Sequence, residues 1–534
     1  MSRPRLHGTD GIRGRVCEAD GSDEIAIEKL ISQRELSPRV MRLIGEAVGM
    51  DVDGGKVVIG WDRRPGNADL VGALTHGLLA AGCDVQHVGE VPTPGLHHCL
   101  LDTGAAAGLM VTASHNPAED SGVKLFDAGG YKSMPAWEDE ISARIWALAD
   151  GSLACPDGDG QLLDAIDGLS SYRAHLKRRL HHFEDLFGVR FEGANWGGII
   201  PATGMLLDCS GGAGTTWLAA GLARRGITAE EVSDVDHPIN DHCGAGELSP
   251  TDAWTHAELL EDPPDHMLLL MLAEVLEICD GMAPWSHGEL VAAALDGDGD
   301  RCLLIEATED GVRVVDGDRM AHLILAAATS GDATPWQFAT SIESDLDLTA
   351  GVARYPAPVH HRTTAVGDRW LADHLRHHSG PHVLGAEDSG HLVMTSPYEG
   401  RTALVGDGAA SLLAVLCARL ALIEAPDVAP YYGGWKRRVS ISPSDRSRWD
   451  GKNALAKSVQ AIVEDWAGER LSPTPVDGEA SLLLLEGEGW SVAVRNSGTQ
   501  AKTAVSLRLA APREDADDLL KSLISLLEPA LSLQ

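Results

Sequence analysis

The chain has 534 residues, too many for one core, and at roughly 100–200 residues per domain about three to five domains are expected. Hydrophobic residues make up 44%, and no apolar run reaches the ~18 residues of a membrane span, so a globular chain with no membrane partner is expected. The net charge of −36 disfavours DNA, RNA and anionic membranes, so no nucleic-acid partner is expected, and an anionic substrate would need a site that gathers cations against the overall field.

The N-terminal stretch MSRPRLHGTDGIRGR lacks an apolar signal-peptide core and carries Arg13 and Arg15 among glycines. KVVIGWDRRP (56–65) reads as a buried strand and a polar turn, followed by the helix-patterned ADLVGALTHGLLAAG. VTASHNPAED (111–120) sets Ser114 between an apolar run and an Asn-Pro turn. Pro117 disfavours a helical Asn116, so Ser114 is expected on an exposed loop. Lys124, in SGVKLF, follows shortly after.

GMLLDCSGGAG (204–214) and QFATSIESDL (337–346) repeat the strand-and-turn opening, and three such openings suggest three related α/β domains. Residues 183–203 and 255–268, the latter around LEDPPD, read as loop-rich insertions. MLLLMLAEVLEI and SLLAVLCARLALI are expected to be buried helices. Residues 421–436 look like a linker, with two prolines and a glycine pair. Beyond it, one helix pattern, three strand patterns and a last helix suggest a small α+β domain. The expected division is 1–155, 156–308, 309–425 and 430–534. The nine cysteines are scattered singly, with no CxxC pair, which fits a reducing cytoplasm.

Three loops carry further chemistry. In ALDGDGDRC, Asp296, Asp298 and Asp300 alternate with glycines after an apolar strand, so the carboxylates converge on one side of a turn and suit Mg2+. A solvated Asp-Gly turn is the plainer reading. An EF-hand fails, because its sixth position is Arg301 and its twelfth is Ala307. Arg301 beside these acids suggests a negatively charged partner. In GAEDSGHLV (385–393), Glu387, Ser389 and His391 alternate and offer acceptors and donors to a polyhydroxylated ligand, although a histidine at a strand start is more often structural. In VRNSGTQAKT (494–503), a Ser-Gly-Thr turn flanked by Arg495 and Lys502 makes a phosphate nest or a simple hairpin turn. A reactive serine, a metal loop, a polyol loop and a phosphate nest are together what moving a phosphoryl group on a sugar requires.

These motifs, with GTDGIRG, VVDGDRM, TTAVGDRW and VGDGAASLL, resemble the α-D-phosphohexomutase family from about residue 7 to about residue 510. The resemblance implies an α/β fold of four domains around a central cleft: three related α/β domains with mixed sheets and a smaller α+β C-terminal domain. It implies a phosphoserine at Ser114, within TASHNP, with His115 beside it in the catalytic loop. Mg2+ would sit on Asp296, Asp298, Asp300 and a Ser114 phosphoryl oxygen, and a hexose 1,6-bisphosphate would be the intermediate and activator. Arg13, Lys124 and His391 match positions tied to proton transfer or its electrostatics. Substrate contacts would come from Glu387, Ser389, His391, Arg301, Arg495, Ser497, Gly498, Thr499 and Lys502.

INDHCGAG (239–246) resembles the pattern of the family's glucosamine-phosphate members. The phosphate loop departs from the usual Ser-Gly-Thr-Glu-Pro at Gln500 and Ala501, and Ser121 stands where Asn is usual. The expected function is a Mg-dependent isomerase taking glucosamine 6-phosphate to glucosamine 1-phosphate, as a cytoplasmic monomer or homodimer. The alternatives are a phosphomannomutase/phosphoglucomutase or a catalytically silent sugar-phosphate-binding homologue.

Overall fold

The computed structural model of the chain describes residues 3–533 except 9, 19–20, 379, 399–400, 424–430 and 498–500. Its strands form four sheets. The first holds β1 (Ile12–Val16), β2 (Glu35–Leu36), β3 (Val57–Trp61), β4 (Val85–Glu90), β5 (Ala107–Val111) and β6 (Asp120–Asp127) in the order β2-β1-β6-β5-β3-β4. The second holds β7 (Met205–Asp208), β8 (Ala229–Glu231), β9 (Ala253–Thr255), β10 (Leu290–Leu295), β11 (Cys302–Ala307) and β12 (Gly311–Val315) in the order β8-β7-β10-β11-β12-β9. The third holds β13 (Trp336–Ser341), β14 (Val359–Thr364), β15 (Val383–Ala386), β16 (Leu392–Tyr398) and β17 (Arg401–Gly406) in the order β14-β13-β15-β16-β17. The fourth holds β18 (Trp435–Ile441), β19 (Leu483–Gly487), β20 (Trp490–Asn496) and β21 (Thr503–Leu509) in the order β18-β21-β20-β19.

The first three sheets repeat one plan. Three parallel strands, β4-β3-β5, β8-β7-β10 and β14-β13-β15, are each joined by an antiparallel strand, β6, β11 and β16. The inner parallel strands are mostly apolar, as strands covered on both faces require, and LVAAAL of β10 is buried throughout, whereas the edge strands β4, β8 and β14 are more polar. The fourth sheet is wholly antiparallel. The helices Ala454–Ala467 and Ala516–Leu531 contribute Val459, Val463, Leu523 and Leu527 to its core.

The second and third sheets share one continuous core. Leu207 and Leu295 belong to the same buried cluster as Phe338 and Leu384, joined through the helices Gly168–Phe187, Gly317–Gly331 and Gly408–Ile423. Each of the two sheets also has a core of its own on the opposite face, around Leu206, Leu272 and Ile305 in the second and around Leu371, Val383 and Val393 in the third. Residues 255–268, expected to be loop-rich, are largely helical instead. Thr255 caps the helix His256–Glu261 through a reciprocal box with Glu258, and Pro263 and Pro264 lie in the short turn before the helix Met267–Ile278. Residues 183–187 likewise complete a long helix before the loop begins. Trp435 and Lys436, read as linker, already belong to β18. Residues 424–430 of that expected linker lie outside the described residues.

Candidate active site

The four loops that carry the chemistry lie where one strand passes to its antiparallel neighbour. Ser114 sits between β5 and β6, the three aspartates between β10 and β11, the Glu387 loop between β15 and β16, and Ser497 between β20 and β21. The shared plan therefore delivers one loop from each of the first three sheets, and a hairpin of the fourth delivers the last.

Ser114 is on a loop, but it is not exposed: only 1% of its surface is accessible. Its φ of 55° lies in the left-handed region, which costs a non-glycine residue roughly 1–3 kcal/mol. Hydrogen bonds on both sides offset that strain. The Ser114 N–H donates to Thr112 Oγ (2.9 Å), whose hydroxyl donates to Asp62 (2.7 Å). The Ser114 carbonyl accepts from Arg64 (2.6 Å) and from Asn240 Nδ2 (2.7 Å). Asn240 in turn accepts from Gly297 N–H (3.0 Å), which ties the serine loop to the aspartate loop. The side chain completes the tie: Ser114 Oγ donates to Asp296 Oδ2 at 2.9 Å.

The aspartate loop is buried throughout. Gly299 takes a φ of 67° and lets it curl, and Gly408 packs so closely that a Cβ there would meet the Arg301 carbonyl at 2.2 Å. Oxygens of Asp296, Asp298 and Asp300 lie within 4.8 Å of one another. Burial, with Asp300 and Asp298 alongside, pushes Asp296 up to about 7. Asp298 Oδ1 is buried without a hydrogen-bond partner among the described residues. Three converging hard oxygens, a carboxyl strained by its neighbours and an orphaned acceptor fit a divalent cation with oxygen ligands.

Lysines close the cluster from the first sheet. Lys124 Nζ reaches Asp298 and Asp300 at 2.7 Å each and Asp10 at 3.2 Å. Burial alone would lower its pKa, yet Asp10, Asp298 and Asp300 together hold it well above the usual lysine value. Lys132 pairs with Asp368 (2.8 Å), Asp300 (3.2 Å) and Asp10 (3.3 Å). His391 lies between Asp300 (3.2 Å) and Glu387 (3.0 Å). Burial and Arg301 would lower it, but Asp300 and the two hydrogen bonds raise it to about 9, so it is cationic at neutral pH. Ser389 Oγ is 3.4 Å from the same ring. Arg301 contacts both His391 (3.3 Å) and Asp296 (3.6 Å). His115 is the opposite case: Arg301 first, then burial, hold its pKa well below the ordinary value.

A cavity of about 210 Å3 lies over this cluster. Arg13, His115, Arg301, Glu387, Ser389 and His391 line it from one side, and Arg495, Ser497 and Lys502 from the C-terminal sheet. Arg13 is anchored on the Ala113 carbonyl (3.1 Å) and on the Asp10 backbone (3.0 Å). Arg495 is held by Glu343 at 3.2 Å. Gly498 and Thr499 lie outside the described residues. The sequence reading missed Arg438, which joins the cations of this wall and pairs with Glu343 (2.8 Å). It also missed Asp62, Arg64, Lys132 and Asn240. Asp62, Arg64 and Asn240 sit inside stretches quoted for other reasons, whereas no local signal marks Lys132. Arginines and a lysine thus gather on the cavity walls in a chain of net charge −36.

Among the described residues no helix is long and apolar enough to cross a membrane. The family description Phosphoglucomutase/phosphomannomutase, alpha/beta/alpha domain I, matches residues 4–151, and the description of alpha/beta/alpha domain III matches residues 316–422. A phosphoglucosamine mutase of Frankia casuarinae is 31% identical over 519 residues, covering 95% of this chain and 97% of its own length. Two solved structures share the fold. One is a phosphoglucomutase/phosphomannomutase family protein of Burkholderia thailandensis (TM-score 0.61, 19% identity, 98% of this chain and 97% of the other). The second is an N-acetylphosphoglucosamine mutase of Aspergillus fumigatus in complex with GlcNAc-6P and magnesium (TM-score 0.57, 16% identity, 99% and 96%).

Proposed function

This chain belongs to the phosphoglucomutase/phosphomannomutase family, the α-D-phosphohexomutases, and from that premise we propose that it is a phosphoglucosamine mutase, interconverting glucosamine 6-phosphate and glucosamine 1-phosphate in the cytoplasm. The observation that carries the reading is the hydrogen bond from Ser114 Oγ to Asp296, which unites a strained serine with a buried acid cluster 182 positions away. The division into domains at 1–155, 156–308, 309–425 and 430–534 belongs to the same proposal.

In this reading Ser114 carries the phosphoryl group. The P–Oγ bond breaks as a hydroxyl of the hexose monophosphate forms the new P–O bond, and the proton the hydroxyl gives up ends on Ser114 Oγ, which yields the 1,6-bisphosphate and a free serine. The bisphosphate turns over in the cleft, and its other phosphoryl group returns to Ser114. Asp296, Asp298, Asp300 and a phosphoserine oxygen would hold Mg2+, which supplies charge neutralisation at the transferring phosphoryl group. Lys124, ion-paired with Asp298 and Asp300, is placed to hold negative charge beside them. Arg13 and His391 bring further positive charge to the same region, with His391 able to donate a proton; His115, held neutral, carries none. Glu387 and Ser389 would meet the sugar hydroxyls, with Arg301 between sugar and acid cluster. Arg495, Ser497, Lys502, Gly498 and Thr499 would hold the phosphate that is not reacting.

Glucosamine is favoured by the Frankia casuarinae relative and by INDHCGAG, whose Asn240 links the serine and aspartate loops. The test is an interconversion assay comparing glucosamine, mannose and glucose 6-phosphates, with the matching bisphosphate present. A clear preference for glucosamine 6-phosphate is expected. Equal rates on all three would give the phosphomannomutase/phosphoglucomutase reading, and no turnover of any would give the silent homologue.

A further inference from the structure

A second groove lies apart from the cleft and shares no lining residue with it. It runs between the helix Gly168–Phe187 and the helix Leu218–Ala223. Residues 170, 173, 174 and 177 face it from the longer helix, the spacing of a single helical face. Leu176, Leu218, Leu222 and Leu413 give it an apolar floor beside Trp217. Arg173, Lys177, Arg224 and Arg225 line it as well, with the Arg173 guanidinium 5.8 Å from the centre of the Trp217 ring. The groove encloses about 380 Å3, within the range of small-molecule sites.

The charge is the telling feature. Acids outnumber bases by 79 to 43 in this chain, and the buried cations of the cleft are paired with carboxylates. The four cations of the groove have no carboxylate among its lining residues and make no ion pair with any described residue. Asp167 lies within electrostatic reach of Arg173, and Arg225 donates to the Gly221 carbonyl (2.8 Å), but four positive charges around an apolar floor still outweigh that compensation and attract an anion that also has a flat apolar part. Inorganic phosphate would satisfy the rim and leave the floor in contact with water. Gly221 opens the space between them: a Cβ added there would meet no atom within 4 Å.

We propose that this groove binds a soluble phosphorylated ligand of the nucleoside diphosphate class, its phosphates on Arg173, Lys177, Arg224 and Arg225 and its base on the leucine floor.

Calorimetric titration of the full-length protein with ADP in metal-free buffer tests this, with inorganic pyrophosphate as the second ligand. One equivalent of ADP is expected to bind. The affinity should fall at least tenfold in Gly221→Leu, which plugs the groove, and in the Lys177→Glu/Arg225→Glu double variant. It should be unchanged in the cleft variants Arg495→Ala and Lys502→Ala. Both groove variants should keep the unfolding profile and mutase activity of the parent. The proposal is overturned if ADP does not bind, or if binding is lost in the cleft variants and kept in the groove variants. Pyrophosphate binding as tightly as ADP would remove the role of the floor. Conversion of a dimer to a monomer by the groove variants, seen by sedimentation, would assign the groove to a second copy of the chain.

Discussion

Two stretches carry nearly the same letters, DGDGDR at 296–301 and DGDR at 316–319, and both end in buried clusters of aspartates. In the first, oxygens of Asp296, Asp298 and Asp300 come within 4.8 Å of one another, and a serine hydroxyl from another sheet lies on Asp296. In the second, Asp316 accepts from the Arg319 N–H at a helix start, and Asp318 accepts from the Asp345 N–H. Lys436 then reaches Asp316, Asp318 and Asp388 at 2.8, 3.2 and 3.1 Å. Each cluster leaves one buried oxygen without a partner among the described residues, Asp298 Oδ1 and Asp318 Oδ1, so that mark does not separate them. What separates them is how each is closed. The first converges on a serine hydroxyl delivered from another sheet, whereas the second spends its acids on helix starts and on one lysine from the C-terminal sheet.

The deepest break in this contrast is Ser114→Ala. It should lower kcat/KM at least about a thousandfold while the melting curve stays close to that of the parent, because only one buried hydroxyl is removed. Ordinary turnover in that variant would remove the serine from the chemistry. Lys436→Met acts on the other cluster. It leaves Asp316 and Asp318 buried without their cation, with Asp388 keeping only Arg438 at 3.6 Å, and should cost about 3–5 kcal/mol in chemical denaturation. A loss below about 1 kcal/mol would mean that the lysine is not the pin.

The same chemical change made in each cluster sharpens the comparison. Asp298→Asn should reduce activity about a hundredfold and shift the Mg2+ requirement to higher concentration, with little change in stability. Activity insensitive to a chelator in the parent would contradict the metal reading. Asp318→Asn should cost only about 1 kcal/mol. Burial and the neighbours Asp316 and Asp388 already push Asp318 up to about 7, and an amide oxygen can still accept from Asp345. Its activity should stay near that of the parent in the same assay.

Much of this was legible in the sequence because glycine and proline mark turns locally. The four loops, the strand-to-turn openings of the first three sheets and the small C-terminal sheet all announce themselves within ten residues or so. What pairs with those loops does not. Lys132 meets Asp300 and Asp368 across 168 and 236 positions, and nothing near it in the chain foretells that. Ser114 looked exposed because an Asn-Pro turn is usually at the surface, but Arg64 and Asn240 cover it from elsewhere in the chain. The short helix His256–Glu261 was masked by Pro263 and Pro264 just after it, whereas the apolar run of Met267–Ile278 was read as a helix. The core shared by the second and third sheets leaves no mark on either segment alone, since periodicity tells which face is buried and not against what.

The central claim is that Ser114 carries the phosphoryl group, and peptide-level mass spectrometry tests it most directly. The protein is incubated with glucosamine 1,6-bisphosphate and Mg2+, digested, and mapped before and after addition of glucosamine 6-phosphate. One phosphoryl group is expected, on the peptide containing Ser114, that is transferred away when the monophosphate is added and never forms in Ser114→Ala. An active enzyme with no phosphoryl group on that peptide, or with one on another residue that turns over instead, would contradict it.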